Sequence, residues 1–375
     1  MASTLKLGNG NWGVKEDSLL AYSDKNNNFL PFPFDFSRAS SATVVNKAGL
    51  IETVQSGISR IDFKDDANGA LLLEPQSTNL VPYSEDFTQW SFGATYITPN
   101  YAISPNGIQN ASRCLFTGAN QLISITTSMP VGVECAASIY IRGVQGETIL
   151  MAVGGVDSIH TLNGNWQRIQ ATKTSINSSM LIGTFGGVTA RDILIWGAQL
   201  EQQSYPTSYI PTSGASSTRL QDIATNSGNA SLINSTGGVL YAEVAALDTT
   251  DNSFRFISLS DGNQNNVVKF VFYLNAVYAE TVVNGVNQGQ TSYTFPNISA
   301  FNKIGFKWKE NDFSLWVNGV EVSIDTNGTV LAANTLTNLS FDRGDGVNPF
   351  YGKTKALAVY KTALTDAELA ELTTI

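Results

Sequence analysis

The chain has 375 residues, of which 42% are hydrophobic and only 14% charged, with a formal net charge of −9. That is long for one core and suits two or three domains, and the hydrophobic share excludes a disordered chain. An acidic balance with no basic stripe argues against a nucleic-acid partner, because phosphate binding draws on clustered Lys and Arg.

The start, MASTLKLGNGNW, has no charged stretch followed by an apolar run, so no secretory leader is expected. Nowhere do about 18 apolar residues run together, so no membrane partner is expected either. Turn signals then recur along the chain: Asn-Gly begins at Asn9, Asn68, Asn106, Asn163, Asn284, Asn318 and Asn327, and Asp-Gly at Asp261 and Asp345. They separate short β-branched and aromatic runs, which reads as an all-β protein. Two Pro/Ser-rich stretches, EPQSTNLVPYSEDF (74–87) and YPTSYIPTSGASSTR (205–219), read as ordered connectors rather than strands. The expected division is an N-terminal segment over 1–80, a β-sandwich over 81–215 and a second over 216–375. The first segment holds one hairpin around Asn46 to Gly49 and little core, so it is expected to lean on neighbouring domains or subunits.

In the middle unit CAASIYIRG and RDILIWGAQLE alternate as strands should. Cys114 and Cys135, the only cysteines, leave one disulfide open as a reading, but buried thiols in strands is the simpler one. His160, the only histidine, lies beside a turn with no nucleophile-elbow context, so it reads as a strand residue and not a general base. The last unit carries FNKIGFKWKEN, with Ile304, Phe306 and Trp308 on one face and Lys303, Lys307 and Lys309 on the other. FSLWVNGVEVSI follows, and Asn318-Gly319 predicts a type I′ turn. That turn pairs Val317 with Val320, Leu315 with Val322 and Phe313 with Ile324, and sets Trp316 opposite Glu321 on the other face. An indole there needs a cover, which is expected to be a loop, another domain, a subunit or a ligand. Near the end Thr365-Asp366-Ala367-Glu368 is a capping box opening a short helix.

Saccharides stack their C–H faces on aromatic rings while amides and carboxylates read their hydroxyls. Trp316 with Glu321, and Asn263 and Asn265 of the loop DGNQNN, form the candidate glycan platform on that chemistry. Asp342 and Asp345 in FDRGDGVNPF are the oxygen donors a Ca²⁺ ion would draw on, although hard-cation sites use more carboxylates than this stretch supplies. No other cofactor is expected. Glu310 with Asp312, and Asp342 with Asp345, are the nearest local acid pairs; loop polarity explains both more simply than glycoside hydrolysis.

The stretch from Ile304 onward, through FKWKENDFSLWVNGVEV and FDRGDGVNPFYGKTKALAVYKTALTDAELAEL, resembles the laminin-G-like, concanavalin-A-like jelly rolls. Members of that family commonly bind glycans or proteins, sometimes with calcium; here Thr354-Lys355-Ala356 stand where acidic residues often follow the Phe-x-Gly step. The middle unit, from YSEDFTQW to IWGAQLEQ, resembles a carbohydrate-binding-module sandwich more loosely. FDFSRASSATVVNKAGLIETV, ALLLEPQSTNLVPYSEDF and WGAQLEQQSYPTSYIPTSG together resemble the fibre and adhesion proteins of tailed-bacteriophage virions, especially head-fibre proteins of crAss-like phages. The resemblance implies a non-enzymatic virion surface protein, a homotrimer attached to capsid or other virion proteins through its N-terminal part and displaying sandwiches toward host-surface glycans. Other readings from a different class are a tail-fibre adhesin and a polysaccharide depolymerase.

Overall fold

The computed structural model describes residues 5–8, 14–15, 18–23, 30–93, 95–188, 190–247 and 252–375; the Asn9-Gly10 turn lies outside them. Among the described residues the structure is all-β apart from one 3-10 turn, Phe87–Gln89, and one α-helix, Asp366–Thr373, opened by the expected capping box. It forms two compact units. Unit 1 takes residues 1–39, 56–75 and 221–375, and unit 2 takes 40–55 and 76–220. The segment 1–80 that the sequence sets apart is therefore divided between both.

Unit 1 is a sandwich of a large sheet and a five-stranded sheet. The large sheet is built around strand Gly352–Tyr360, whose one edge pairs with Gly237–Ala246, followed by Asn302–Lys309, Phe313–Val317 and Val320–Asp325. Its other edge is covered end to end by two N-terminal strands: Ala70–Leu73 pairs with residues 352–354 and Leu5–Gly8 with residues 356–359. Leu5, Leu7, Leu71 and Leu73 enter the same core as Leu240, Phe306, Trp308, Phe270 and Phe272. Each such buried side chain contributes about 1.5–3 kcal/mol. The expected leaning of the lean N-terminal segment on a neighbouring domain is thus met, for these two strands, by strand addition within the chain.

Unit 2 sets two five-stranded antiparallel sheets face to face. Cys114, Cys135, Ile139, Ile195 and Met180 meet between them. Both thiols are buried in strands, as expected, and burial pushes Cys114 up to about 12 and raises Cys135 as well. The connectors expected to be strandless carry one short pair, Ser77–Asn79 with Ser217–Arg219. Asn79 explains this local order: its amide donates to the carbonyls of Ala198 and Ile210 and accepts from the backbone N–H groups of Val81 and Leu200. Beside it the fully buried Glu201 accepts from Ser77, Thr207 and Gln199, and burial raises its pKa.

A buried ion cluster sits in unit 1. Arg38 Nη1 donates to Asp222 Oδ1 at 2.9 Å, Arg60 Nη1 to Glu74 Oε2 at 2.8 Å, and Arg60 Nη2 to Asp222 Oδ2. The Glu74 N–H also donates to Asp222 Oδ2 at 2.9 Å, and the Asp222 N–H returns a bond to the Glu74 carbonyl at 3.0 Å. Burial opposes the charge on Arg60, but the carboxylates of Glu74 and Asp222 outweigh it and hold its pKa above the ordinary arginine value. In these bonds two guanidinium groups meet two carboxylates. Taking one anion away leaves a buried guanidinium uncompensated, so Asp222→Asn is expected to cost about 3–5 kcal/mol, read as a lowered midpoint in urea unfolding. A change below about 1 kcal/mol would mean that the cluster contributes nothing to stability.

Candidate functional site

Trp316 is only 7% exposed. It lies on the outer face of the large sheet, in a cluster with Val239, Tyr241, Ala358, Tyr360 and Leu369, beneath the helix Asp366–Thr373. Its indole N–H donates to Ser314 Oγ at 3.1 Å. The helix comes close because Gly305 stands opposite it: a Cβ there would meet Thr373 Cγ2 at 3.2 Å and Leu369 Cδ2 at 3.6 Å. The cover of Trp316 is therefore a helix of its own unit. Stacking a sugar needs an open ring face, so Trp316 is not a surface platform, although Glu321 opposite it is exposed.

The turn below it has the expected geometry, with φ +51° at Asn318 and +88° at Gly319. Trp316 pairs with Glu321 and Val317 with Val320 as expected, but beyond them the register slips: Leu315 meets Ser323, Ser314 meets Ile324 and Phe313 meets Asp325. The extra residue is Val322, a β-bulge on an edge strand, where bulges protect against unwanted pairing. Ile324 is consequently 57% exposed while Phe313 remains in the core.

Asn263, half-buried, and Asn265, exposed, lie on the loop between Arg255–Ser260 and Val267–Tyr273, in the opposing sheet, and are not brought to Trp316. Asn263 Oδ1 accepts from the Asn265 N–H at 2.7 Å, and the Asn265 carbonyl accepts from the Gly285 N–H at 2.8 Å. Asp342 is buried; burial raises its pKa, and its Oδ1 accepts from the Gly344 N–H at 2.6 Å. Asp345 is paired with Arg343 through two hydrogen bonds of 3.1 and 2.7 Å, which hold its pKa low. Among the described residues no group of three or more His, Cys, Asp or Glu is arranged to hold a metal. His160 lies in strand Val156–Thr161 opposite Ile149, its pKa lowered by burial and then by Lys173.

The arrangement best suited to a saccharide is on the five-stranded sheet of unit 1, on the face turned away from the core. Val268, Phe270, Phe272, Val277 and Ala279 point inward, so their alternate neighbours point out. Two rows cross that outer face side by side. One is polar: Lys269 stands between Ser258 and Glu280, and Glu280 is opposite Gln290. Lys269 Nζ lies 3.1 Å from Glu280 Oε2, and Gln290 Nε2 donates to Glu280 Oε1 at 3.0 Å. The carboxylate is thereby fixed, and each oxygen keeps a lone pair for a further hydroxyl. The adjacent row is apolar, Phe256, Val271 and Tyr278 in register; Phe256 and Val271 are buried, at 6% and 5% exposure, so Tyr278, which is half-buried, is the part of this row that solvent reaches. Next to it Phe254, 46% exposed, stacks on Tyr273 with ring centroids 4.3 Å apart and an interplanar angle of 12°. Lys269 Nζ also sits 5.5 Å from the Phe256 ring centroid, tying the rows together. At the hairpin tip beyond Tyr273, Leu274 adopts φ +50°, a conformation that costs a leucine about 1–2 kcal/mol.

Sequence reasoning missed this face because it sought an aromatic platform at Trp316 and not along these two strands. The signal was present in KFVFYLNAVYAE, where Lys269 and Tyr273 share one parity in the first run and Tyr278 and Glu280 share one parity in the second.

No family model matches the chain, and no curated protein matches it in sequence. Among solved structures it is similar to the Ruminococcus gnavus IT-sialidase CBM40 bound to α2,3 sialyllactose, at 16% identity over 40% of this chain and 94% of that one, with a TM-score of 0.33. It is similar to domains LG4-5 of the mouse laminin α1 chain, at 10% identity over 67% of this chain and 93% of that one, with a TM-score of 0.25. A third likeness is the CBM22-1–CBM22-2 tandem domain of Paenibacillus barcinonensis Xyn10C, at 10% identity over 78% of this chain and 99% of that one, with a TM-score of 0.26. Scores this low carry no argument of their own; the sandwich architecture rests on the strand pairing described above.

Trp316→Ala is expected to lower stability by about 3–5 kcal/mol by opening a cavity under the helix, measured by urea unfolding followed by far-UV circular dichroism. A variant of undiminished stability that had lost saccharide binding would return Trp316 to the surface.

Proposed function

We propose that this chain is a non-enzymatic structural protein on the virion of a tailed bacteriophage, of the head-fibre type, whose sandwiches attach to glycans of the host surface. The carrying observation is the pair of rows on the outer sheet of unit 1. A saccharide ring lies with its C–H face on Tyr278, Tyr273 and Phe254, and its hydroxyls reach Glu280 and Gln290. The virion assignment is supported by the sequence phrases that resemble phage fibre proteins. The same resemblance supports a homotrimer joined to capsid or other virion proteins; the N-terminal strands, being completed inside the chain, add nothing to that part.

Binding of the full-length protein to arrayed bacterial-surface glycans is expected, with Tyr278→Ala and Glu280→Gln each weakening it about tenfold or more at unchanged stability, since a hydrogen bond to a charged group contributes about 1.5–3 kcal/mol. Binding that survives both substitutions would remove the site. For the assembly, sedimentation equilibrium is expected to return three chain masses; one chain mass would remove the trimer.

A further inference from the structure

Unit 2 presents a second outer sheet face with different chemistry, independent of the unit 1 face. Its sheet runs in the order Thr95–Ile103, Gln109–Phe116, Arg191–Glu201, Glu134–Arg142, Gln167–Thr174. Part of the face is closed: Trp196 is buried among Ile51, Ala111 and Tyr209, with Trp166 packed against them and its indole N–H donating to the Ile103 carbonyl at 3.2 Å. One row further along, the face is open. There Arg113 pairs with Leu194, and Leu194 in turn with Arg142, so two arginines flank a leucine across three adjacent strands. Two strand spacings put their backbones about 10 Å apart.

The two guanidinium groups are prepared differently. Arg113 is held in place by Asp192, through Nε to Oδ1 at 2.8 Å and Nη2 to Oδ2 at 2.6 Å, and by the ring of Tyr101 5.2 Å from its Cζ. A bulge between Thr98 and Ala102 breaks the register beside Tyr101, which is 51% exposed. The pairing uses one edge of the Arg113 fork and leaves the Nη1 donors pointing elsewhere, already ordered. Arg142 is exposed at the end of its strand and makes no ion pair among the described residues. Of the carboxylates on this face, Asp192 is spent on Arg113 and Glu201 is buried with its own donors, while Glu134 stands at the opposite end of the Arg142 strand. On a chain of net charge −9, this is a locally cationic strip with an apolar floor and aromatic rims.

We propose that the row Arg113, Leu194, Arg142 binds the carboxylate of an acidic saccharide, the sugar ring lying over Leu194 beside Tyr101. A neutral sugar could use the floor and the ring, but only a carboxylate uses both forks. The row gives a saccharide an apolar surface as well as charge, which an acidic peptide does not require.

The test uses the full-length protein and matched probes: sialyllactose against lactose, and oligogalacturonate against its carboxyl-reduced neutral form, by isothermal titration. At least one acidic probe is expected to bind about tenfold or more tightly than its neutral partner. That preference should be lost in Arg142→Gln, be partly kept in Arg142→Lys, and shrink on raising NaCl from about 0.05 to 0.5 M. Repeated in a Tyr278→Ala background, which removes the unit 1 site, the acidic probe should still bind and still lose that binding in Arg142→Gln, so failure here and failure of the unit 1 site are read separately. Equal binding of acidic and neutral partners, no binding of any acidic probe at millimolar concentration, an unaffected Arg142→Gln variant, or a poly-glutamate peptide binding as well as the saccharides would each overturn the proposal.

Discussion

The constraint on which the rest of unit 1 depends is the buried cluster of Arg38, Arg60, Glu74 and Asp222. A charge is tolerated in a dry interior only when its partner is present and well placed, so the four side chains specify one another's positions across separations of up to 184 residues. Their places in the chain matter as much as their bonds. Arg38 precedes the passage into unit 2 at 39/40, Arg60 follows the return at 55/56, Glu74 precedes the second departure at 75/76, and Asp222 follows the last return at 220/221. Every path by which the chain leaves or re-enters unit 1 is thus tied at the same node. The residues come from the phrases FSRASS, SRIDF, LLLEPQ and TRLQD, two of which overlap the stretches FDFSRASSATVVNKAGLIETV and ALLLEPQSTNLVPYSEDF. Those stretches serve the scaffold, and the open faces are supplied by other strands.

Much of the local structure was legible because it follows from short-range rules. Asn318-Gly319 and Asn284-Gly285 both take the positive φ values that a type I′ turn requires, and the capping box at Thr365 is a matter of spacing over four residues. Ile304, Phe306 and Trp308 face the core because alternation in a strand leaves them no other side. What stayed hidden depended on partners distant in sequence. The bulge at Val322 shifts the pairing by one residue, and nothing in FSLWVNGVEVSI marks it. Strand addition by Leu5–Gly8 and Ala70–Leu73 to Gly352–Tyr360 joins the two ends of the chain; no local pattern announces it.

Legibility of the candidate sites was poorer, for a physical reason. Chemistry can be read from residue types, but availability cannot. Trp316, Asp342 and Asp345 have suitable side chains, yet a helix covers the first, burial and a backbone N–H engage the second, and Arg343 neutralises the third. Conversely Tyr278, Glu280 and Arg142 looked unremarkable in sequence; the proposed sites rest on their place on the outward sides of their sheets, where Arg142 is exposed and the other two are half-buried. An aromatic or a carboxylate becomes a recognition element when its neighbours hold it still without consuming its surface, as Lys269 and Gln290 do for Glu280.

The interleaved path of the chain also bears on how such a protein is remodelled over generations. Sandwiches strung one after another can be swapped at a single joint, but here residues 40–55 and 76–220 are both set inside the sequence of the other unit. A crossover at any one joint would carry away part of one body with the whole or part of the other, and would separate Asp222 from Arg38, Arg60 or Glu74. Diversification is therefore steered away from exchange of whole modules and toward substitution on the exposed sheet faces, where side chains change while the tied framework stays the same.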